Sequence, residues 1–258
     1  MAAKVDVALK QRLAAGEQLL GCWLALASPL VAEALAGAGF DFLVVDGEHS
    51  PVDAMDTVAM LQAIAAGGSQ PIVRLAENVP WLAKRAMDAG CPTLLFPMVA
   101  SADEARRAAA SMRYPQAGGD GSRGVAGIVR AARYGLDAGY VRGANAAACT
   151  IVQIESATAV AAAAQIAAVD GVDALFVGPA DLAASLGHLG DSRHAQVQQA
   201  IDRVAAAARA EGKAAGIFAA SAGEAREYAG RGFTLIALAA DVVWLLKGAR
   251  EALAAARS

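Results

Sequence analysis

Short apolar runs alternate eight times with longer, alanine-rich stretches along this chain, and this alternation restricts the fold more than any other feature. Buried parallel strands read as continuous runs of Val, Ile, Leu and Phe, and helices join them. The pattern therefore predicts eight βα units, which close on themselves as a (β/α)₈ TIM barrel. A chain of 258 residues suits one such barrel, so we predict a single domain over 1–258. The predicted strands are 20–26, 41–46, 70–75, 93–99, 149–155, 172–178, 213–219 and 234–239.

An open, doubly wound sheet would show the same alternation and is the alternative fold. That fold usually carries a glycine-rich GxGxxG turn after its first strand. The first βα junction here reads ALASPLVAEAL and lacks this motif, which favours the barrel.

Signals for helix boundaries follow the same rhythm. Pro51 and Pro80 are expected to open two helices, and Ser101 and Ser221 to cap two more. The rhythm breaks between residues 114 and 145, where a link containing PQAGGDGSRGVAG replaces a direct connection. A link of this length in a compact barrel predicts a functional or interfacial segment.

Composition and charge exclude several classes of function. The formal net charge is -3 and the 22 Lys and Arg residues are scattered, which argues against a nucleic-acid partner. No apolar run approaches the ~20 residues of a membrane-spanning helix, and the N-terminal MAAKVDVALKQRLAAGE lacks the apolar core of a signal peptide. Cys22, Cys91 and Cys149 form no CxxC pair and are expected to be buried thiols in a reducing compartment. We therefore expect a soluble, cytoplasmic protein.

Polar side chains gather where the predicted strands end, which is where a (β/α)₈ barrel carries its active site. Strand two runs into DGEHSP, strand three into VRLAEN, strand five into VQIES and strand six into VGPADLA. Each of these strands thus supplies polar or ionisable groups to a common rim. The candidate residues are Asp46, Glu48, His49, Arg74, Gln153, Glu155, Gly178, Pro179 and Asp181.

Glu155 and Asp181 follow adjacent strands, and neighbouring strands lie about 4.7–4.9 Å apart in a sheet. Two carboxylates at such a short distance repel each other unless a cation lies between them. A hard divalent ion is the simplest cation for this position. Oxygen ligands suit Mg²⁺, Mn²⁺ or Co²⁺ and leave positions for water and a chelating substrate. The alternative is that both acids pair with Arg residues or lie in solvated loops. No Cys/His cluster indicates a structural zinc site.

His49 and Arg74 are the residues best suited to move a proton and to hold an anion. His49 follows Glu48 near a strand end, and an imidazole titrates near neutral pH, although a loop histidine without a chemical role is the rival interpretation. Arg74 lies in the apolar strand PIVRLA, where a buried guanidinium must find an anion, either Glu48 or a substrate carboxylate or enolate oxygen. His188 and His194, in GHLGDSRH, have the setting of surface or lid residues.

Two absences narrow the chemistry. Phosphate-binding barrels present glycine-rich loops after strands seven and eight, whereas these loops read FAASAGE and ALAADVVW. A Schiff-base aldolase needs a desolvated lysine on a strand. Here Lys4, Lys10, Lys84 and Lys247 fall in helix-like stretches, and Lys213 precedes strand seven. We therefore expect metal-assisted chemistry on a substrate without phosphate.

A set of motifs covers nearly the whole chain: GCWLALASP, AGFDFLVVDGEHSP, QPIVRLAEN, LLFPMVASADEA, RYPQAGGDGSRG, IVQIES and GVDALFVGPADLAASLG. Together they resemble the HpcH/HpaI family of class II, metal-dependent pyruvate aldolases, typified by 4-hydroxy-2-oxoheptanedioate and 2-keto-3-deoxy sugar-acid aldolases. The resemblance implies reversible aldol cleavage of 4-hydroxy-2-oxo acids to pyruvate and an aldehyde through a metal-stabilised enolate. Oxaloacetate decarboxylation would pass through the same enolate as a side reaction.

The resemblance also implies three groups of site residues. The metal ligands are Glu155 and Asp181. The catalytic group, in which the arginine holds the pyruvyl oxygens and the histidine with its neighbouring acids manages the proton, comprises His49, Arg74, Asp46, Glu48 and Asp88. The substrate-binding group comprises Trp23, Arg74, Gln153, Gly178, Pro179 and Ala180.

Asp88 requires a separate explanation, because the family pairs the catalytic histidine with an aspartate that matches this position. Asp88 is expected to close a barrel helix, and helix C-termini lie at the end of the barrel opposite the site. We therefore predict that Asp88 reaches His49 across a subunit interface. The family forms hexamers and exchanges its C-terminal helix. The apolar opening of DVVWLLKGAREALAAA is consistent with docking on a neighbour, although ordinary barrel packing explains it too.

Two departures from the family pattern leave the aldehyde open. GGDGSRG is longer than the usual loop, and Phe218 stands where an aliphatic residue is expected; both are assigned to the acceptor side. A CoA-ester lyase of the citrate-lyase β type is the first alternative function, but it needs a cationic groove that no Lys or Arg cluster provides. A non-enzymatic barrel that acts as a scaffold is the second.

Overall fold

The computed structural model describes residues 8–257. Its strands are β1 (Leu19–Leu24), β2 (Phe42–Asp46), β3 (Gln70–Arg74), β4 (Thr93–Phe96), β5 (Cys149–Ile154), β6 (Val172–Val177), β7 (Ala214–Ala219) and β8 (Leu235–Ala240). Each strand pairs in parallel with its sequence neighbour, and β8 pairs with β1 to close the barrel. The eight predicted strands and the (β/α)₈ TIM barrel are therefore confirmed, although β4 ends at Phe96 and not at residue 99. The start of the mixed-charge N-terminal stretch, including Lys4, lies outside the described residues.

Helices surround the barrel. They are α1 (Ala8–Ala14), α2 (Pro29–Ala36), α3 (Ala54–Gly67), α4 (Pro80–Asp88), α5 (Ala102–Met112), α6 (Tyr140–Ala147), α7 (Ala157–Ala161), α8 (Ala163–Ala167), α9 (Pro179–Ser185), α10 (Ala195–Ala210), α11 (Ala222–Gly230) and α12 (Asp241–Arg257). A short 3-10 helix at Arg130–Gly135 precedes α6.

Most of the predicted helix boundaries are confirmed. Pro80 opens α4, and the Ser101 and Ser221 side chains accept hydrogen bonds from the first turns of α5 and α11. The prediction for Pro51 is wrong, because α3 begins only at Ala54. Asp53 caps this helix and forms a reciprocal capping box with the side chain three residues later, which fixes the start more strongly than a proline does.

Alternation of side chains along the strands divides the core into two layers. Leu43 and Val45 of β2 belong to the layer between strands and helices, whereas Phe42 and Val44 belong to the layer inside the barrel. Leu9 and Leu13 of α1 join the inner layer beside residues that begin β1, β5, β7 and β8, so α1 closes the N-terminal end of the barrel. The C-terminal ends of the strands form the open mouth.

The long link after α5 lies at the N-terminal end of the barrel. It leads from the C-terminus of α5 towards the start of β5, and the Tyr114 N–H donates to the Asn145 side chain over 2.7 Å. Tyr114, Ala132, Tyr140 and Ala144 form a small separate core there. Within one chain GGDGSRG is therefore remote from the mouth, and its assignment to the acceptor side does not hold there.

Helix α12 leaves much of its apolar surface uncovered. Trp244 packs on the main core, but its neighbours remain exposed: Val243, Leu245, Leu246 and Leu253. Packing within one barrel therefore accounts for only part of the apolar character of this helix.

The three cysteines, Cys22, Cys91 and Cys149, are free and buried, as predicted. None of the helices within residues 8–257 is long and apolar enough to cross a membrane.

Candidate active site

Polar side chains lie at the mouth of the barrel because side chains continue to alternate between the inner and outer faces up to the last residues of the strands. Asp46 follows Phe42 and Val44 on the inner face of β2, and it is the register partner of Arg74 at the end of β3. Gln153 lies on the inner face of β5, and Glu155 directly follows that strand. Asp46, Gln153 and Glu155 are each 3% exposed and Arg74 is 6% exposed, so the four groups are buried together.

Asp46 is a fully engaged acceptor. Its Oδ1 accepts hydrogen bonds from Arg74 Nε (3.0 Å) and from the backbone N–H groups of Glu48 (3.0 Å) and His49 (3.1 Å). Its Oδ2 accepts from Arg74 Nη2 (2.7 Å) and Trp23 Nε1 (3.0 Å). Burial raises the pKa of Asp46, but the hydrogen bonds and charge of Arg74 outweigh it and hold the pKa below its ordinary value. Asp46 therefore holds Arg74 as an ionised clamp, and its predicted part in proton handling beside His49 stays a prediction.

Arg74 joins two carboxylates and an aromatic ring. Besides its paired bonds to Asp46, its Nη1 lies 2.6 Å from Glu48 Oε2, and its guanidinium lies 4.9 Å from the Trp23 ring centroid. These bonds engage three of the five N–H donors of the guanidinium, so two remain for a ligand oxygen. The Trp23 ring also contacts Phe218 at a centroid distance of 5.9 Å, which places Phe218 near the mouth.

His49 and Glu48 form the accessible side of the site. The His49 side chain is 67% exposed, and its Nε2 lies 3.9 Å from Glu48 Oε2, beyond hydrogen-bond distance. Burial raises the pKa of Glu48, and the opposing charges of Arg74 and His49 do not cancel this effect. Glu48 is therefore better placed than Asp46 to exchange a proton with His49. Within residues 8–257 no other carboxylate forms an ion pair with the His49 ring.

Glu155 is buried without a cation of its own. Its Oε1 accepts the Met98 N–H over 2.8 Å, and its Oε2 accepts a hydrogen bond from the Gln153 amide. Burial raises its pKa to about 7, with the Asp181 and Glu48 carboxylates adding to the effect and the Met98 N–H opposing it. This carboxylate therefore lies in a region of excess negative charge.

Asp181 lies in the first turn of α9, beside Glu155. The turn begins with Gly178 and Pro179 and continues through Ala180. A Cβ atom on Gly178 would lie 2.4 Å from Glu155 Oε2, so glycine is required for this close approach of backbone to carboxylate. The sequence VGPAD therefore brings its acid and its backbone groups to the same point as Glu155.

Met98 is a site residue that the sequence did not indicate. It has a φ of +53, in the left-handed region that non-glycine residues rarely adopt, and its N–H is the one that donates to Glu155. Strained backbone of this kind concentrates at functional sites. Methionine has no preference for positive φ, so FPMVAS carries no local signal for this role.

A cleft of about 190 Å³ opens beside Glu48. The side chains that line it include Glu48, Glu77, Asn78, Met98, Glu104 and Arg107. Three carboxylates thus face one guanidinium, and the cleft has the opposite charge from a groove that binds a nucleotide.

The donor set of the mouth fits a hard divalent cation with two protein ligands. Within residues 8–257 no three His, Cys, Asp or Glu side chains form a metal-binding group, so a closed site of the structural type is not formed there. Glu155 and Asp181 would supply oxygen ligands, and a cation between them would offset both the burial of Glu155, which is the main cause of its raised pKa, and the added charge of Asp181 and Glu48. Remaining positions would be open to water and substrate.

Asp88 does not join this site. It ends α4 at the opposite end of the barrel, where its Oδ1 accepts a hydrogen bond from Arg123 Nη2 over 2.6 Å. The structure therefore brings the other predicted site residues together at the mouth and leaves Asp88 apart. His188 and His194 are half-buried and stack on each other at a centroid distance of 3.5 Å, so they are less solvated than we expected.

Comparison with known proteins assigns the family. Residues 19–247 match the family model described as HpcH/HpaI aldolase/citrate lyase. A hydroxypyruvate/pyruvate aldolase from Paraburkholderia phytofirmans is 55% identical over 97% of this chain and 97% of its own length. A 4-hydroxy-2-oxo-heptane-1,7-dioate aldolase from Salmonella dublin is 46% identical over 96% of this chain and 93% of its own.

A solved structure agrees with this assignment. A HpcH/HpaI aldolase/citrate lyase family protein from Burkholderia cenocepacia is 51% identical, with a TM-score of 0.96 over 98% of this chain and 100% of that chain. The fold, the polar mouth and these relatives give one answer. The chain belongs to the HpcH/HpaI aldolase/citrate lyase family and is a carbon–carbon lyase.

Proposed function

We propose that this chain catalyses reversible cleavage of 4-hydroxy-2-oxo acids to pyruvate and an aldehyde, with a divalent cation held by Glu155 and Asp181. The observation that carries the proposal is the buried Glu155 carboxylate, which lies beside Asp181 without a cation while Arg74 is engaged elsewhere. The names of the relatives, aldolases for hydroxypyruvate, pyruvate and a 4-hydroxy-2-oxo diacid, support it. Mg²⁺, Mn²⁺ and Co²⁺ all suit oxygen ligands of this kind.

A divalent cation at this position would supply Lewis-acid polarisation of the ketone of the donor substrate. Arg74 would direct its two remaining N–H donors at the oxygen on which negative charge develops, and the Asp46 clamp holds it ready before substrate arrives. Backbone groups from Gly178 to Ala180 would hold the donor carboxylate. The Gln153 Oε1, buried and without a hydrogen-bond partner within residues 8–257, is free to accept a further hydrogen bond.

His49 is the residue we propose to move the proton. Its ring is exposed at the mouth, with Glu48 as its nearest carboxylate at 3.9 Å. In aldol addition the ring would take up the proton that leaves the methyl carbon of pyruvate, and in cleavage it would return it. Phe218, beside Trp23, borders the space for the aldehyde.

Asp88 is proposed to serve the active site of a second copy of the chain. The exposed apolar face of α12 and the exposed Val125 and Ile128 of the long link support an assembly of several copies. We propose the family hexamer with an exchanged C-terminal helix as that assembly. A cytoplasmic location is supported by the three free, buried cysteines.

The CoA-ester lyase alternative is not favoured. A nucleotide with several phosphates needs a cationic groove, whereas Glu48, Glu77 and Glu104 line the cleft beside the site and Arg107 is the one cation among the residues that line it.

Metal-free protein should lose stability as the pH rises. Glu155 has a pKa of about 7 in the folded chain and an ordinary value of 4.5, so folding favours its protonated form. That stabilisation is complete below about pH 4.5 and is lost as the pH rises through about 7. The thermal midpoint in EDTA should therefore fall between about pH 5 and pH 7.5, and Mn²⁺ should raise it most at the higher pH.

Glu155→Gln is the matched control for this titration, because its amide neither titrates nor replaces the carboxylate as a metal ligand. Its midpoint should change less with pH and should respond weakly to Mn²⁺. A wild-type midpoint that follows the same pH profile as Glu155→Gln, with the same response to Mn²⁺, would contradict the assignment.

His49→Ala should lower the rate of pyruvate release by ~10²–10⁴-fold, the usual contribution of a general acid–base group. The measurement is pyruvate release from a panel of 4-hydroxy-2-oxo acids, with and without EDTA. Mn²⁺ affinity should stay unchanged, because Glu155 and Asp181 are intact. His188→Ala, a half-buried histidine in the loop between α9 and α10, is the control and should keep wild-type activity. Full activity in His49→Ala would refute the role of this histidine.

Subunit complementation should test the proposed contact between Asp88 and His49. His49→Ala and Asp88→Asn assemblies should each be nearly inactive, whereas co-expressed chains should form mixed assemblies that recover activity. Random mixing at an interface between copies leaves about a quarter of the sites with both wild-type residues. The absence of recovery in mixed assemblies of confirmed composition would mean that both residues act within one chain.

A further inference from the structure

The C-terminal end of α4 carries a charge that the helix itself disfavours. Asp88 is the last residue of α4, and a carboxylate there meets the negative end of the helix dipole. The helix end is already capped without it, because Arg130 Nη1 donates to the Ala89 carbonyl over 2.6 Å and Gly90 adopts a φ of +103. A purely structural end to this helix has no need of an acid at position 88.

Arg123 is buried against this acid and two tyrosines. Its side chain is 0% exposed, and its Nη2 donates to Asp88 Oδ1 (2.6 Å) and to the Tyr140 hydroxyl (2.9 Å). The Tyr114 ring centroid lies 4.4 Å from the guanidinium carbon and the Tyr140 centroid 5.9 Å from it. A planar guanidinium fits between two rings as a lysine ammonium does not.

The ion pair between Arg123 and Asp88 is poorly suited to stabilise the fold. The Nε and Nη1 atoms of Arg123 are buried and have no hydrogen-bond partner within residues 8–257. A buried ion pair with unsatisfied donors is often no more stable than an apolar replacement. Such costly arrangements are expected where function requires them.

Asp88 is oriented outwards by this arrangement. Its side chain is 22% exposed, and no hydrogen bond from the described part of the chain reaches Oδ2. The link that carries Arg123 also exposes apolar side chains, since Val125 and Ile128 are 63% and 82% exposed. A carboxylate oxygen without a partner at the surface is suited to a donor on a docked molecule, and the exposed ring of His49 can supply such a donor.

We propose that Arg123 is a positioning residue, which holds Asp88 Oδ1 and leaves Oδ2 turned outwards so that it can accept a hydrogen bond from His49 of a second copy. The inference rests on the proposed aldolase function and on its contact between copies. It also explains why the link after α5 is long, because this link carries Arg123 and places the cation that the carboxylate requires. Arg123 thus acts on Asp88 of its own chain and on the histidine of another.

A double-mutant cycle tests this role. Arg123→Met should lower kcat by at least ~10-fold and change KM for the 4-hydroxy-2-oxo acid by less than ~3-fold, because the substrate contacts at the mouth are intact. The double variant Asp88→Asn/Arg123→Met should be no slower than Asp88→Asn within ~3-fold, since both changes remove one interaction. Losses that multiply would overturn the proposal.

Mixed assemblies locate Arg123 relative to the interface. Arg123→Met chains co-expressed with His49→Ala chains should recover activity, because the His49→Ala chain supplies an intact Arg123–Asp88 pair to the histidine of its neighbour. Arg123→Met with Asp88→Asn should not recover activity. Recovery in the second mixture, or failure in the first while Asp88→Asn with His49→Ala recovers, would overturn the proposal.

A milder variant covers the case in which Arg123→Met does not fold. Tyr140→Phe keeps the ring and removes only the hydroxyl that accepts from Arg123, so kcat should fall by about 3-fold or more with KM nearly unchanged. Tyr134→Phe, an exposed tyrosine of the same link, is its matched control and should keep wild-type kcat. Equal kcat values for the two variants would overturn the proposal.

Failure of the aldolase proposal gives a different result. Wild-type protein that releases no pyruvate in an EDTA-sensitive manner would overturn the proposed function and this inference with it. Active wild type, impaired Asp88→Asn and unimpaired Arg123→Met would overturn the role of Arg123 alone.

Discussion

At the mouth of this barrel, carboxylates outnumber the cation that could neutralise them. Asp46 binds Arg74 through both of its oxygens, and Glu48 takes a third N–H of the same guanidinium. Glu155 and Asp181 are left beside each other without an ion-pair partner in the described part of the chain, and the nearby charge of Arg74 does not offset the burial of Glu155. Side-chain alternation forces this arrangement, because the inner faces of β2, β3 and β5 end in polar residues. The clamp on Arg74 and the need for a further cation both follow from it.

The clamp also explains how Arg74 could stabilise the negative charge that develops on the substrate in the proposed reaction. Arg74 is buried against Trp23 and fixed by Asp46, so it does not need to reorganise when negative charge develops on a substrate oxygen. His49 lies on the accessible side, where a proton can enter and leave. In the proposed mechanism, Asp46 fixes Arg74 and His49 moves the proton, so two residues of the DGEHS turn have separate roles.

Much of the fold could be predicted because its signals are local. The strands are runs of buried apolar residues, and Pro80, Ser101 and Ser221 act on their own helices. Pro51 gives the wrong start for α3, because the capping box at Asp53 depends on a reciprocal pair of side chains. The sequence also does not indicate the end of the barrel at which the long link lies, since that depends on the direction of α5 in the closed barrel.

The site could be predicted as a set of residues but not as a set of roles. Glu155, Asp181 and Arg74 stand at strand ends, and that position alone indicates the mouth. The role of Asp46 as a clamp depends on its five hydrogen bonds, which only the folded structure locates. The position of Met98 in the site depends on a strained backbone angle, and the proposed role of Arg123 depends on contacts between distant parts of the chain. No local sequence pattern encodes either of them.

The location of the metal is the central claim, and a crystal grown with Mn²⁺ and pyruvate tests it most directly. Diffraction data collected at the manganese absorption edge would locate the ion by its anomalous signal. The account predicts one strong peak about 2.1 Å from carboxylate oxygens of both Glu155 and Asp181, with pyruvate oxygens completing the coordination. A manganese peak elsewhere in the barrel, with none between these two carboxylates, would contradict it.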